Sequence, residues 1–119
     1  MATTATASKL HMGDASGGIF MGIFELTLDT TDANGELTLD LTDYFSYIDA
    51  MVDGGSDGTT GYVAQFEKPA DGTAITATNV KVGIYEAGAD AGALDAVTST
   101  DVSAYIPGLT VVVWGKAAV

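Results

Sequence analysis

The chain contains no cysteine and no arginine. The first absence removes disulfide staples and thiolate metal ligands, so the fold must rest on packing, and it leaves the redox compartment open. The second bears on partners. Only four lysines, Lys9, Lys68, Lys81 and Lys116, stand against 16 acidic residues, for a net charge of -12. Binding to nucleic acid draws on clustered Lys and Arg, and arginine is the usual bidentate reader of phosphate and guanine, so nucleic acid is excluded as a partner. Long apolar runs are also missing: VVVW at 111 to 114 is typical of the longest pieces. A bilayer span needs roughly 20 such residues. The N-terminus lacks the charged-then-apolar pattern of a signal peptide. The expectation is a soluble protein with no membrane partner and no obvious secretion signal.

What is present points to a β protein. A chain of 119 residues has material for one core. Its 47% hydrophobic content is too high for full disorder, and its 15 glycines, with abundant Thr, Asp and Ala, suit turns and short strands. The acidic surplus favours solubility and keeps like surfaces apart, which suits dense display on an exterior; a salty setting would produce the same balance.

Beyond the first methionine, residues 1 to 18 hold two apolar side chains of any size, Leu10 and Met12, and show no helical or strand period. They read as an extended N-terminal arm ordered by contact with something else, or as a frayed tail, ahead of a single domain at 19 to 119. From Phe20 the pattern alternates: Phe20, Phe24, Leu26 and Leu28 against Glu25, Thr27 and Asp29. It alternates again in GELTLDL, with Leu37, Leu39 and Leu41 inward. TTDANG lies between, ending in Asn34-Gly35, a pair suited to left-handed backbone, so these two segments are expected to form a β-hairpin.

DYFSYIDAMVDGG fits either a short helix capped by Asp43 or a strand with Ile48, Ala50 and Val52 on one face; the strand is preferred. It is expected to pair with YVAQFE as a second hairpin, 46 to 52 with 61 to 67. Tyr47 and Met51 then point away from the core, as candidates for a subunit contact. Pro69 and Asp71-Gly72 mark a turn, AITAT and VKVGIYE read as strands, and EAGADAGALDAV reads as a small-residue connection ending in a short strand. In LTVVVWGK, Leu109, Val111 and Val113 face one way, Val112 and Trp114 the other. With both faces apolar, this last strand is either central or covered by another chain, which adds Trp114 to the contact candidates. DLTDYFSYI and DVSAYIPGL echo one another weakly. The sum is an all-β fold, a compact antiparallel sandwich or barrel of about seven or eight short strands.

No motif carries chemistry. The single histidine, His11, lies in the arm among residues too small to hold a catalytic triad, and without cysteine or a second histidine a zinc site has no ligand set. Carboxylates are plentiful, but one Trp offers little wall for a glycosidase cleft. DGGSDG at 53 to 58 has oxygen ligands for a hard cation yet lacks the closing Glu of a helix-loop-helix calcium site, and reads as a polar loop. GADAG at 88 to 92 lacks a phosphate-binding lysine. The expectation is no enzyme, no cofactor and no metal.

Residues 81 to 116, KVGIYEAGADAGALDAVTSTDVSAYIPGLTVVVWGK, resemble small head-decoration, or cement, proteins of tailed bacteriophages. The likeness rests on a strand ending in Tyr-Glu, a Gly/Ala/Asp-rich connection, Leu-Asp-x-Val, an Asp-Val-Ser turn and a valine-rich last strand closing on Gly-Lys. DLTDYFSYIDAMV and GYVAQFE look like the middle of the same kind of protein, so the pattern spans most of 40 to 116. The resemblance implies a virion protein on the capsid exterior, bound to the major capsid protein and commonly a homotrimer. Leu10 and Met12, as anchors of the arm, with Tyr47, Met51 and Trp114, are the expected contact residues. The other readings are a small extracellular β-sandwich module binding carbohydrate or a cell surface, and a tail or fibre component.

Overall fold

A computed structural model describes residues 3–56, 61–67, 80–88 and 93–118. Among the described residues eight strands are present: β1 (Thr4–Ser16), β2 (Ile19–Leu28), β3 (Glu36–Leu39), β4 (Phe45–Gly55), β5 (Tyr62–Glu67), β6 (Val80–Ala87), β7 (Leu94–Ala96) and β8 (Thr110–Ala117). They form one sheet in the order β4-β8-β2-β1-β3-β6-β5, with β7 added to β6. The two ends of that order, β4 and β5, approach one another, so the sheet curls into a nearly closed barrel. Of the two all-β architectures expected, this is the barrel.

The alternation read from the sequence fills its interior. Phe24, Leu26 and Leu28 of β2, Leu37 and Leu39 of β3, Val80, Val82 and Ile84 of β6, and Val111 and Val113 of β8 are all buried in one core. The last strand is central, laddered to β2 on one side and β4 on the other. The connection after β6 does end in a short strand, β7. AITAT and the Pro69 turn lie outside the described residues.

Both expected hairpins are corrected. β2 pairs with β1 and β8, which leaves it no edge for β3; β3 instead pairs antiparallel with β6 and briefly parallel with β1. The reason is local. Ser16 and Ile19 are joined through Gly17 and Gly18, with φ of 61° and 84°, the left-handed pair of a tight two-residue hairpin turn. That short closure lays β1 along β2, on the side a hairpin with β3 would need. The segment expected as an arm ordered by another molecule is therefore a strand of this sheet. Its period was hidden because its inward positions Ala5 and Ala7 carry small side chains, and because register shifts fall between Lys9 and His11 and between Asp14 and Ser16. TTDANG closes on itself: Asp32 Oδ1 accepts the backbone N–H groups of Asn34 and Glu36. It also docks on 99–101 through Thr31, whose hydroxyl accepts from Thr100 N–H. Gly35 is left-handed, as expected. The segments 46 to 52 and 61 to 67 are strands, but β4 ladders to β8 and β5 to β6, and the two meet only across the barrel seam.

The sequence echo has a structural counterpart. Asp40 Oδ1 accepts Thr42 N–H at 2.9 Å, and Asp101 Oδ1 accepts Ser103 N–H at 3.0 Å. In each case one chain turn follows, closed by Tyr44 N–H to Leu41 O and by Tyr105 N–H to Val102 O. Each turn buries its aliphatic residue, Leu41 or Val102, and lays its tyrosine on the core. The first lies where β3 ends and β4 begins, the second where β2 ends and β8 begins, so they plug opposite ends of the barrel. Hydrogen bonds from Thr42 and from Ser103 hold the Asp40 and Asp101 carboxyls below the ordinary value of 3.8. Their contribution is present above that value and is lost as pH falls below it. Asp40→Ala and Asp101→Ala are each expected to lower the urea midpoint at neutral pH, and the deficit should shrink near pH 3, which parallel denaturation curves would show.

Candidate functional site

The feature that stands out lies on the outer surface of β4-β8-β2. Odd positions of β8 point inward, which sends Val112 and Trp114 outward. Register then sets Val112 between Ile23 of β2 and Val52 of β4, and Trp114 between Met21 and Ala50. Two rows of three apolar side chains result. Val52 is 47% exposed, while Trp114, Val112, Met21 and Ile23 are half-buried against one another. Tyr47, 40% exposed, extends the face beside Lys116. Near Tyr47 a depression of about 290 Å³ is lined by Ile19, Asp49 and Lys116 beside the Gly17-Gly18 turn. The six central side chains include no acid, on a chain of net charge -12. Continuous apolar surface of this kind marks an interaction face, and Trp, Tyr and Met are the side chains enriched in interface cores.

The expected contact residues are only partly brought together. Trp114 sits at the centre and Tyr47 at the margin. Met51, expected to point outward, is turned onto the core: a register shift between Ile48 and Ala50 leaves Asp49 unpaired and reverses the alternation, so Ala50 and Val52 face out instead. Met12, expected as an anchor, is opposite Gly22 and packs on the core as well. Leu10 is 58% exposed and unpaired at the first register shift of β1, next to His11, which is opposite Ile23. Met21, Ile23 and Val112 were missed as a group, although IFMGIF carries the signal: Ile19, Met21 and Ile23 make its outward set as apolar as its inward one.

A second cluster lies across β3-β6-β5. Glu36 is opposite Gly83, and Glu67 is opposite Lys81. The Tyr85 ring folds back over Gly83, where an added Cβ would come within 2.9 Å of the ring and 2.5 Å of Glu67 Oε1. Tyr85 OH donates to Glu67 Oε1 at 2.6 Å, and Lys81 Nζ donates to Thr38 Oγ1 at 3.0 Å. A hydrogen bond with Glu67, then burial, then the charges of Glu67 and Asp32 raise Glu36 to about 7, against an opposing effect of Lys81. The bond to Glu67, with burial, pushes Tyr85 up to about 12. The cluster can hold a proton, on an outer sheet surface.

His11 is exposed opposite Ile23. Asp53 Oδ1 accepts Gly55 N–H at 2.7 Å, and the rest of the 53 to 58 loop after Ser56 lies outside the described residues. Among the described residues no three His, Cys, Asp or Glu side chains are placed to share a metal ion. Compared with family models, curated proteins and solved structures, the chain matches none.

Proposed function

We propose that this barrel is a virion structural protein that decorates the outside of a tailed-phage head and strengthens it by bridging major capsid subunits, working as a trimer. The observation that carries the reading is the acid-free apolar face around Trp114 on an otherwise strongly acidic barrel. A binder of assembled shells needs one surface that gains by losing water and a remainder that repels copies of itself. Burial of apolar area at about 25 cal/mol per Å² supplies the first, and the acidic surface supplies the second. Cementing then follows from linkage: a clip that binds the assembled geometry better than free subunits opposes their separation. Several weak contacts suffice when joined, because each raises the effective concentration of the next.

The sheet face is favoured as the contact over strand addition to β1, which lies inside the sheet order between β2 and β3. Trimer formation places the -12 charges of three copies together, so added salt is expected to strengthen it.

The test compares heads of the encoding phage made with and without the protein. Heads carrying it should release DNA at a higher temperature and show added density outside the junctions of capsid subunits by electron microscopy. Equal release temperatures with no added density would overturn the proposal, and so would tight capture of a glycan in the Tyr47 depression with no binding to heads.

A further inference from the structure

The carboxyl cluster on β3-β6-β5 is separate from the apolar face and owes nothing to it. Glu36 and Glu67 come from strands that do not touch in the ladder; both pair with β6 from opposite sides. Position 83 of β6, opposite Glu36, carries no side chain, and Glu67 Oε1 occupies the place a Cβ there would take. Tyr85 fills the remaining space over Gly83 and fixes Glu67 with its hydroxyl. The other charged groups turned toward the pair are Lys81 of β6, whose ammonium is held by Thr38, and Asp32 of the loop before β3. Two carboxyls this close share one proton readily and repel when both are ionised.

We propose that Glu36 and Glu67 form a proton-operated latch: one proton between them ties β3 to β5 across β6, and its loss loosens β5 and with it the seam against β4. The strand it acts on is suited to that role. β5 is six residues long, ends the sheet order, and has its described ladder with β6 alone. The direction of the effect follows from Glu36, held at about 7 in the fold against an ordinary 4.5. Between those values the folded chain keeps a proton that the unfolded chain has given up. The stabilisation is thus complete below the ordinary value and is lost as pH rises through about 7.

Hydrogen exchange of backbone amides tests this, read strand by strand at about pH 5.5 and about pH 8.5 and corrected for intrinsic exchange rates. In the native chain, protection of Tyr62–Glu67 is expected to fall at least about tenfold between the two conditions while β2 and β8 change little. In Glu36→Gln the amide can still donate to Glu67 and carries no charge, so β5 protection should become independent of pH. Carbon-13 titration of the side-chain carboxyls of the unaltered protein gives a second reading, with Glu36 expected to titrate near 7. Equal β5 protection at both pH values, a fall spread evenly over all strands, the same fall in Glu36→Gln, or a Glu36 midpoint at the ordinary value would each overturn the latch.

Discussion

Gly115→Ala is expected to destabilise the barrel by roughly 3 kcal/mol, at the upper end of what overpacking costs. Gly115 lies inside β8, where glycine weakens a strand unless another backbone comes close. Here one does. An added Cβ would collide with the Tyr47 carbonyl oxygen and lie 3.0 Å from Ile48 Cα. These are backbone atoms of β4, held in the ladder between its register shifts, so no side-chain rotation relieves the clash. The alternative is to separate β4 from β8, which also breaks the outer face. Urea denaturation should show a lower midpoint with an unchanged slope; a midpoint within experimental error of the native chain would show that β4 is free to move there.

Phe24→Ala is expected to cost about 3–5 kcal/mol, the range for removing a buried aromatic ring. Phe24 is fully buried, with ring centroids 4.9 Å from Tyr44 and 6.0 Å from Phe45. Its ring also lies over Gly22, within 2.5 Å of where a Cβ would stand. The cavity left by truncation is therefore bordered by a residue with nothing to fill it. Against a total stability of about 5–15 kcal/mol typical of domains, that is a large share, and the variant should melt at a markedly lower temperature, as thermal melting by circular dichroism would show. A loss below about 1 kcal/mol would mean that Tyr44 and Phe45 collapse into the space. Gly22→Ala, which crowds the same ring from below, should be destabilising as well.

The inward set of side chains was legible because each core strand alternates without interruption: Phe24, Leu26 and Leu28, then Leu37 and Leu39, then Val80, Val82 and Ile84. Pairing was not legible. Whether β2 accepts β1 or β3 depends on which closure is shortest, and Gly17-Gly18 beats TTDANG only once β1 is recognised as a strand despite its small inward residues. Faces failed where register shifts occur. Met51 was misplaced by the shift at Asp49, a feature with no composition signal in YIDAM. Trp114 and Tyr47 were found because an apolar residue on the second face of a strand is visible in any sequence, whereas the union of Met21, Ile23, Val112 and Val52 into one surface needs the strand order. The Glu36–Gly83–Glu67 arrangement needs it too, since three separate strands contribute.

The outer face makes the sharpest demand on experiment, because one side chain at its centre can be charged without entering the core. Trp114→Asp places an acid at a half-buried, outward position of β8, and Leu94→Asp places one at an exposed position of β7, away from the face in the sheet order. With both variants shown to be folded by their urea midpoints, co-sedimentation with purified heads is the deciding measurement. Docking through this surface predicts that Leu94→Asp binds like the native chain and that Trp114→Asp loses about 2 kcal/mol or more of binding, as for a hot-spot residue. Equal binding by Trp114→Asp and the native chain would contradict it.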